Sequence, residues 1–159
     1  MNARFCGSVL FVKDIKRSRI FYETLLGQKV EMDFGLNVSF GYFAIWQADV
    51  AFEIIHHNPQ HKIGTGDEFE LYFESPGIAE AYEKIREYGA AFVNEMMEQP
   101  WGQMTFRFYD PDHYLVEVGE PMSETNRRLF RGGMSIQEIV AKTHMPEEMV
   151  RADIDKSGV

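Results

Sequence analysis

The chain has 159 residues, and its 45% hydrophobic and 14% aromatic content is typical of a globular protein rather than a disordered one. Its formal net charge of −9 argues against nonspecific nucleic-acid binding, which requires a basic surface. No apolar run approaches the roughly 18 residues of a membrane span. The single cysteine, Cys6, cannot form an internal disulfide, so we expect a cytoplasmic protein.

The first half of the chain predicts a strand, a helix and three further strands. Residues 9–12 are apolar and predict the first strand, and residues 15–26 carry an apolar face at helical spacing. Asp14 is the predicted N-cap of this helix and Gly27 its predicted stop. The remaining strands are predicted at residues 29–32, 38–45 and 50–55.

The second half repeats that order of elements. It predicts a strand at 69–73, a helix at 78–88 that Gly89 stops, and strands at 91–96, 104–109 and 115–118. A β-α-β-β-β module therefore occurs twice, at about residues 5–57 and 67–119, and such a repeat determines the fold class more than local propensity does. We predict an α+β fold with one domain at 1–120 and an extension at 121–159.

A glutamate lies in the predicted strand that ends each module, Glu53 in the first and Glu117 in the second. Both have apolar neighbours, and an ionised carboxylate in such a strand is costly unless something pairs with it. One interpretation is that both side chains face solvent. The other is that a pseudo-twofold axis relates the modules and brings these two positions together at one site.

Three stretches of sequence, taken in order, carry a resemblance. They are Phe-Val-Lys-Asp-Ile-Lys-Arg-Ser at 11–18 with Phe-Tyr-Glu-Thr-Leu-Leu-Gly at 21–27, Pro-Trp-Gly at 100–102, and Asp-Pro-Asp at 110–112 leading to Glu117. With the doubled module, they resemble the glyoxalase/bleomycin-resistance/extradiol (ring-cleaving) dioxygenase superfamily, also called vicinal oxygen chelate, over about residues 5–118. The resemblance implies that the two modules form a cup-shaped curved sheet that takes a small molecule. We also expect a homodimer.

The resemblance also implies four metal-ligand positions, which in metal-using members hold His, Glu or Gln, His and Glu. In this chain they fall at Gly7, Glu53, Glu70 and Glu117. Both histidines are missing, which weakens the case for zinc, nickel or iron, whereas three carboxylates suit a hard cation such as Mg²⁺ or Mn²⁺. Without a cation the carboxylates would repel one another.

Other side chains are candidates for the same cup. The period-two alternation of a strand points His57 to the same face as Glu53, which makes His57 a candidate replacement metal ligand. Asn58 and Pro59 also indicate the alternative, a solvated loop. His113 occupies a turn position where the family usually carries glycine, and we expect it to be exposed. Aromatic side chains either line the cup as ligand contacts or belong to the core: Phe11, Trp46, Tyr72 and Trp101.

The tail from residue 121 onward predicts two short helices. Ser135 and Glu138 match a capping box at the start of a helix to about residue 142, and Pro146 fits the first turn of a second helix to about residue 153. The pair resembles half of a helix-turn-helix, in which Arg127, Arg128 and Arg131 would contact DNA. Because the pair lacks a third helix and a basic face, we expect a packing or dimerisation arm instead.

Two functions follow from these observations. The first is a binding protein that holds a small aromatic or cationic molecule in an acidic, aromatic-lined cup. The alternative is a metal-dependent lyase or isomerase of glyoxalase (lactoylglutathione lyase) type, in which Mn, Mg, Ni or Zn polarises an oxygen while Glu117 or Glu53 moves the proton. A ring-cleaving dioxygenase is less favoured, since its iron needs two histidines and a carboxylate. The missing histidines favour the binding protein.

Overall fold

A computed structural model describes residues 7–56, 58–60 and 70–155. The chain divides into two compact units. Of the described residues, unit 1 contains those up to residue 60 together with the turn at 110–114, and unit 2 contains 70–109 and 115–155. Each unit holds one four-stranded sheet, so the predicted α+β fold with two modules and a helical C-terminal extension is confirmed. Within the described part of the chain, every helix is too short or too polar to cross a membrane.

Unit 1 is built on a mixed sheet in the strand order β1-β4-β3-β2, with β1 parallel to β4 and the other pairs antiparallel. Its elements are β1 (Ser8–Val12), α1 (Ile15–Arg19) with a π-helical continuation (Ile20–Leu25), β2 (Met32–Asp33), β3 (Asn37–Ser39), β4 (Phe43–Gln47) and α2 (Ala48–His56). The Asp14 side chain accepts hydrogen bonds from the first backbone N–H groups of α1, as predicted.

One face of this sheet packs against α1 and its π-helical continuation. Leu10 and Ile45 are register partners on that face and are both buried. Tyr22 packs edge-on against Phe43, with ring centroids 5.1 Å apart. This aromatic contact belongs to the core of unit 1.

The prediction of a strand at residues 50–55, the last of the first module, is wrong, because these residues belong to α2. Ala48, Ala51 and Phe52 lie at helical spacing and are buried. They pack on the sheet face opposite α1, where Phe52 meets Phe11 with ring centroids 5.1 Å apart. The predicted strand 38–45 is in fact two strands, β3 and β4. They separate at Gly41, whose φ of 92° suits a turn.

Unit 2 follows the predicted elements closely. They are β5 (Glu70–Glu74), α3 (Ile78–Tyr88), β6 (Ala91–Glu98), β7 (Met104–Tyr109) and β8 (Leu115–Gly119), in the strand order β5-β8-β7-β6. Gly89 ends α3 in the left-handed conformation at φ 81°. The order of strands around the parallel pair β5 and β8 repeats that around β1 and β4.

The C-terminal extension of unit 2 has three helices, not two: α4 (Met122–Arg131), α5 (Ile136–Thr143) and α6 (Glu147–Asp155). The predicted capping box of Ser135 and Glu138 is present at the start of α5. The three helices share a core of Leu129, Ile139, Val150 and Ile154. The expectation that a third helix is lacking was therefore wrong, because α4 supplies it.

The turn at residues 110–114 follows the Asp-Pro-Asp-His pattern and is held by buried carboxylates of unit 1. Asp110 accepts hydrogen bonds from the backbone N–H of Asp112 at 2.8 Å and from the Tyr22 hydroxyl at 2.8 Å. Asp112 in turn accepts from Arg17 at 2.9 Å. His113 has a φ of 71°, a conformation that explains why glycine is expected at this position.

Candidate functional site

A cluster of two carboxylates and one guanidinium lies on one face of the sheet of unit 2. Arg107 on β7 stands directly opposite Glu117 on β8, and it donates from Nη2 to Glu117 Oε2. Its Nε donates to Glu70 Oε2 on β5 at 2.9 Å. Glu117 is only 4% exposed, whereas Glu70 and Arg107 retain more contact with solvent. A single guanidinium therefore neutralises part of the charge of two acids.

The pKa of Glu117 is raised from 4.5 to about 6, mainly by burial and then by a hydrogen bond with Glu70 that requires a proton. The neighbouring charge of Arg107 opposes this increase. The two acids also act on Arg107, whose pKa is raised because the ion pairs outweigh the opposing effect of burial. The carboxyl of Glu117 therefore holds its proton more tightly than an ordinary glutamate does.

A second network on β5 fixes Tyr72, which is 48% exposed. Its hydroxyl accepts a hydrogen bond from Gln103 Nε2 at 2.8 Å and donates to Glu74 Oε1 at 3.0 Å. The Trp101 indole N–H donates to Gln103 Oε1 at 2.9 Å. A Cβ at Gly119 would stand 2.8 Å from Gln103 Nε2, so only glycine leaves room for this network. Burial raises the pKa of Tyr72 to about 12, so its hydroxyl stays protonated.

The structure does not bring Glu53 to a position equivalent to that of Glu117. Glu53 lies exposed on α2. Val9 and Tyr72 each lie six residues before the first residue of the following helix, and their strand partners are Ala44 and Glu117. The repeat therefore places Ala44, not Glu53, at the position of Glu117.

Unit 1 contains an open aromatic cleft of about 550 Å³. Phe34, which is 70% exposed, and Trp46 are its aromatic walls, and Leu36 and Val50 complete its apolar lining, with Asn37 as a polar side chain. Trp46, one of the predicted ligand contacts, therefore lines this cleft. Phe11 instead packs against Phe52 of α2, so its ring is part of the core on that side of the sheet.

Sequence reasoning missed Arg107 and Gln103, which hold the two networks of unit 2. The position of Arg107 could have been predicted from the register of the hairpin. Tyr109 pairs with Leu115 beside the turn, so the antiparallel register places Arg107 opposite Glu117. Gln103 lies in the loop before β7, and sequence alone gives no indication of its partners.

A model of the glyoxalase-like domain matches residues 5–123 of the chain. The chain belongs to the glyoxalase-like domain family. Among solved structures, it is 35% identical to a protein of unknown function from Agrobacterium tumefaciens str. C58, with a TM-score of 0.67 over 76% of this chain and 96% of that one. No curated protein matches the chain.

More distant structures support the glyoxalase-like fold alone. A glyoxalase/bleomycin resistance protein/dioxygenase from Nocardioides is 20% identical, with a TM-score of 0.57 over 76% of this chain and 85% of that one. A glyoxalase-related enzyme from Fulvimarina pelagi is 15% identical, with a TM-score of 0.59 over 74% of this chain and 88% of that one. The family model ends at residue 123 and so leaves most of the three-helix extension outside the matched domain.

The side chains of this glyoxalase-like domain do not fit the four-ligand metal set that the resemblance implies. A Cβ at Gly7 would stand 2.8 Å from the backbone oxygen of Tyr42, so that position has no room for a ligand side chain. Ala44 supplies no donor atom, and Arg107 engages the two remaining carboxylates. Within residues 7–56, 58–60 and 70–155, no three His, Cys, Asp or Glu side chains are grouped so that they could hold an ion. His57 lies outside the described residues.

Proposed function

We propose that this glyoxalase-like protein binds a small planar organic molecule without a metal ion. The observation that carries the proposal is the aromatic cleft of unit 1, where Phe34 and Trp46 face an open volume of about 550 Å³. Small-molecule sites are typically concave, mainly apolar and ~300–1,000 Å³ in volume. The exposed ring of Phe34 is otherwise unexplained, since an exposed aromatic side chain gains little from folding.

The chemistry of the lining favours a flat, largely apolar ligand with few polar groups. Trp46 and Phe34 offer ring surfaces for stacking, and the side chain of Asn37 offers one donor and one acceptor group to orient the ligand. The overall net charge of −9 favours a neutral or cationic ligand over an anionic one. The metal-dependent lyase or isomerase has less support, because two of its four ligand positions, Gly7 and Ala44, carry no donor side chain and Arg107 is bound to the carboxylates at the other two.

Fluorescence of Trp46 tests the proposal directly, because the chain has only two tryptophans. In a Trp101→Phe background, titration with the neutral planar probe N-phenyl-1-naphthylamine should quench Trp46 emission saturably, and equally with and without EDTA. Phe34→Ala should weaken binding about tenfold through loss of ring contact. Ile20→Ala, which removes another exposed apolar side chain from a different part of unit 1, is the matched control and should leave binding unchanged. Equal affinities for the native chain and Phe34→Ala would refute the assignment of the cleft.

A further inference from the structure

The cluster of Glu70, Glu117 and Arg107 is a built arrangement that the cleft does not use. All three side chains belong to unit 2 and come from three neighbouring strands, β5, β8 and β7. Strand backbones hold their Cα atoms in register, so the side chains meet without a flexible loop. The central charge of the cluster is the guanidinium of Arg107.

We propose that Arg107 is the resident cation of the Glu70–Glu117 pair, that it excludes divalent metal ions from this position, and that its removal opens a site for Mn²⁺ or Mg²⁺. Two carboxylates that face each other need a positive charge or a shared proton between them. Here Nη2 of Arg107 reaches Glu117 and Nε reaches Glu70, so one planar group contacts both acids. The inference is independent of the aromatic cleft.

A divalent ion would have to displace this guanidinium before it gained both carboxylates. The Glu117 side chain is almost completely buried, and separating a buried carboxylate from its paired cation is costly. Arg107 cannot be neutralised by losing a proton, because a guanidinium stays charged at any physiological pH. The cation is therefore permanent, whereas a bound metal ion would exchange with solution.

The same two carboxylates would suit a hard ion once the guanidinium is gone. Mg²⁺ and Mn²⁺ prefer carboxylate oxygens as ligands, and here two carboxylates would supply the charge while water completes the coordination. In Arg107→Met the methionine fills part of the space of the arginine stem without its charge. The repulsion between the two acids then favours uptake of a cation.

The test compares Mn²⁺ binding by the native chain and Arg107→Met, with free Mn²⁺ measured by electron paramagnetic resonance. We expect no stoichiometric uptake by the native chain at the cluster and about one Mn²⁺ per chain for Arg107→Met. At tenfold excess over the dissociation constant, the midpoint of thermal unfolding (Tm) of Arg107→Met should rise by roughly 3–5 °C. The double variant Arg107→Met/Glu117→Gln should lose both effects, since it keeps only one carboxylate.

Two controls separate this inference from general effects of charge removal. Arg86→Met removes an arginine paired with Glu83 on the exposed surface of α3 and should create no Mn²⁺ site. Arg107→Lys keeps a cation and should also bind no Mn²⁺. The proposal is overturned if Arg107→Met is folded by circular dichroism yet binds no Mn²⁺. It is equally overturned if the native chain binds one Mn²⁺ that Glu117→Gln abolishes, a result that needs no arginine variant to fold.

Discussion

Replacing Glu117 by glutamine should make the protein increasingly stable relative to the native chain as the pH rises from 4 to 7, although the substitution removes one partner of a buried ion pair. Burial raises the pKa of this carboxyl from 4.5 to about 6 in the folded chain, so folding favours the protonated form. The glutamine side chain is uncharged at every pH and mimics that form. The groups that act on Glu117 are Glu70 on β5, which raises its pKa, and Arg107 on β7, which lowers it.

The magnitude follows from the two pKa values. The folded chain binds the proton of Glu117 more tightly than the unfolded chain does. The protonated Glu117 carboxyl therefore makes its full contribution to stability below pH 4.5, and this contribution is lost as the pH rises through about 6. The difference between 4.5 and about 6 corresponds to about 2 kcal/mol. The free energy of unfolding of Glu117→Gln minus that of the native chain should therefore grow by about 2 kcal/mol between pH 4 and pH 7.

Urea denaturation of both proteins at half-unit pH steps measures this difference, and subtraction cancels the carboxylates that lie away from Glu117. Glu98→Gln is a control of opposite sign, because Lys142 and Arg128 lower the pKa of Glu98. Glu98→Gln should lose stability relative to the native chain as the pH rises toward 4.5, and the difference should be constant above that pH. A Glu117→Gln difference that is flat with pH, or that falls toward pH 7, would refute the reasoning.

Three further substitutions test other parts of the structure by thermal and urea unfolding. Glu53→Gln should change stability by less than about 0.5 kcal/mol, because this side chain is exposed on a helix. Arg128→Met should cost about 3 kcal/mol, because it strips the buried carboxylate of Glu120 of its paired cation. Tyr22→Phe should cost about 1–3 kcal/mol, because Asp110 loses a buried hydroxyl donor at 2.8 Å.

Each of these substitutions has a contradicting outcome. A large loss for Glu53→Gln would indicate that this carboxylate has a buried partner after all. For Arg128→Met, the control is Arg151→Met, which removes an exposed pair with Glu147 and should cost at most ~0.5 kcal/mol. Equal losses for the two arginines would show that burial of Glu120 has no special effect. An unchanged stability of Tyr22→Phe would mean that Asp110 does not depend on this donor.

The second module was predictable from sequence because local pattern and tertiary packing agree there. Residues 104–109 and 115–119 alternate large side chains around a turn rich in Asp and Pro, and the hairpin register follows from the turn. The helix at Ile78–Tyr88 has an amphipathic face and a glycine stop, and its bounds match the prediction. The same hairpin register would also have predicted that Arg107 lies opposite Glu117.

The end of the first module was not predictable in the same way. Residues 50–55 form a short apolar run, and periodicity alone does not separate a strand from a helix in such a segment. Tertiary packing decides between the two, since the helix buries Ala51 and Phe52 in a cluster against which Phe11 packs. The apparent correspondence of Glu53 with Glu117 was a coincidence of similar neighbours rather than a structural equivalence.

The C-terminal extension is joined to the strands of unit 2 by more than its own apolar core. Arg128 on α4 donates to the Glu120 carboxylate at 2.9 and 3.0 Å and to the backbone oxygen of Gly102. The backbone oxygen of Glu120 accepts from Gln103 Nε2 at 2.8 Å, and the same amide group donates to Tyr72. Since Gly102 and Gln103 belong to one loop, α4 fixes the loop that orients the Tyr72 hydroxyl. A segment largely outside the matched domain thus supports Tyr72, whose side chain lies on the same sheet face as that of Glu117. Loss of the Arg128 contacts should therefore increase the mobility of the Tyr72 side chain under conditions in which the sheet is still folded.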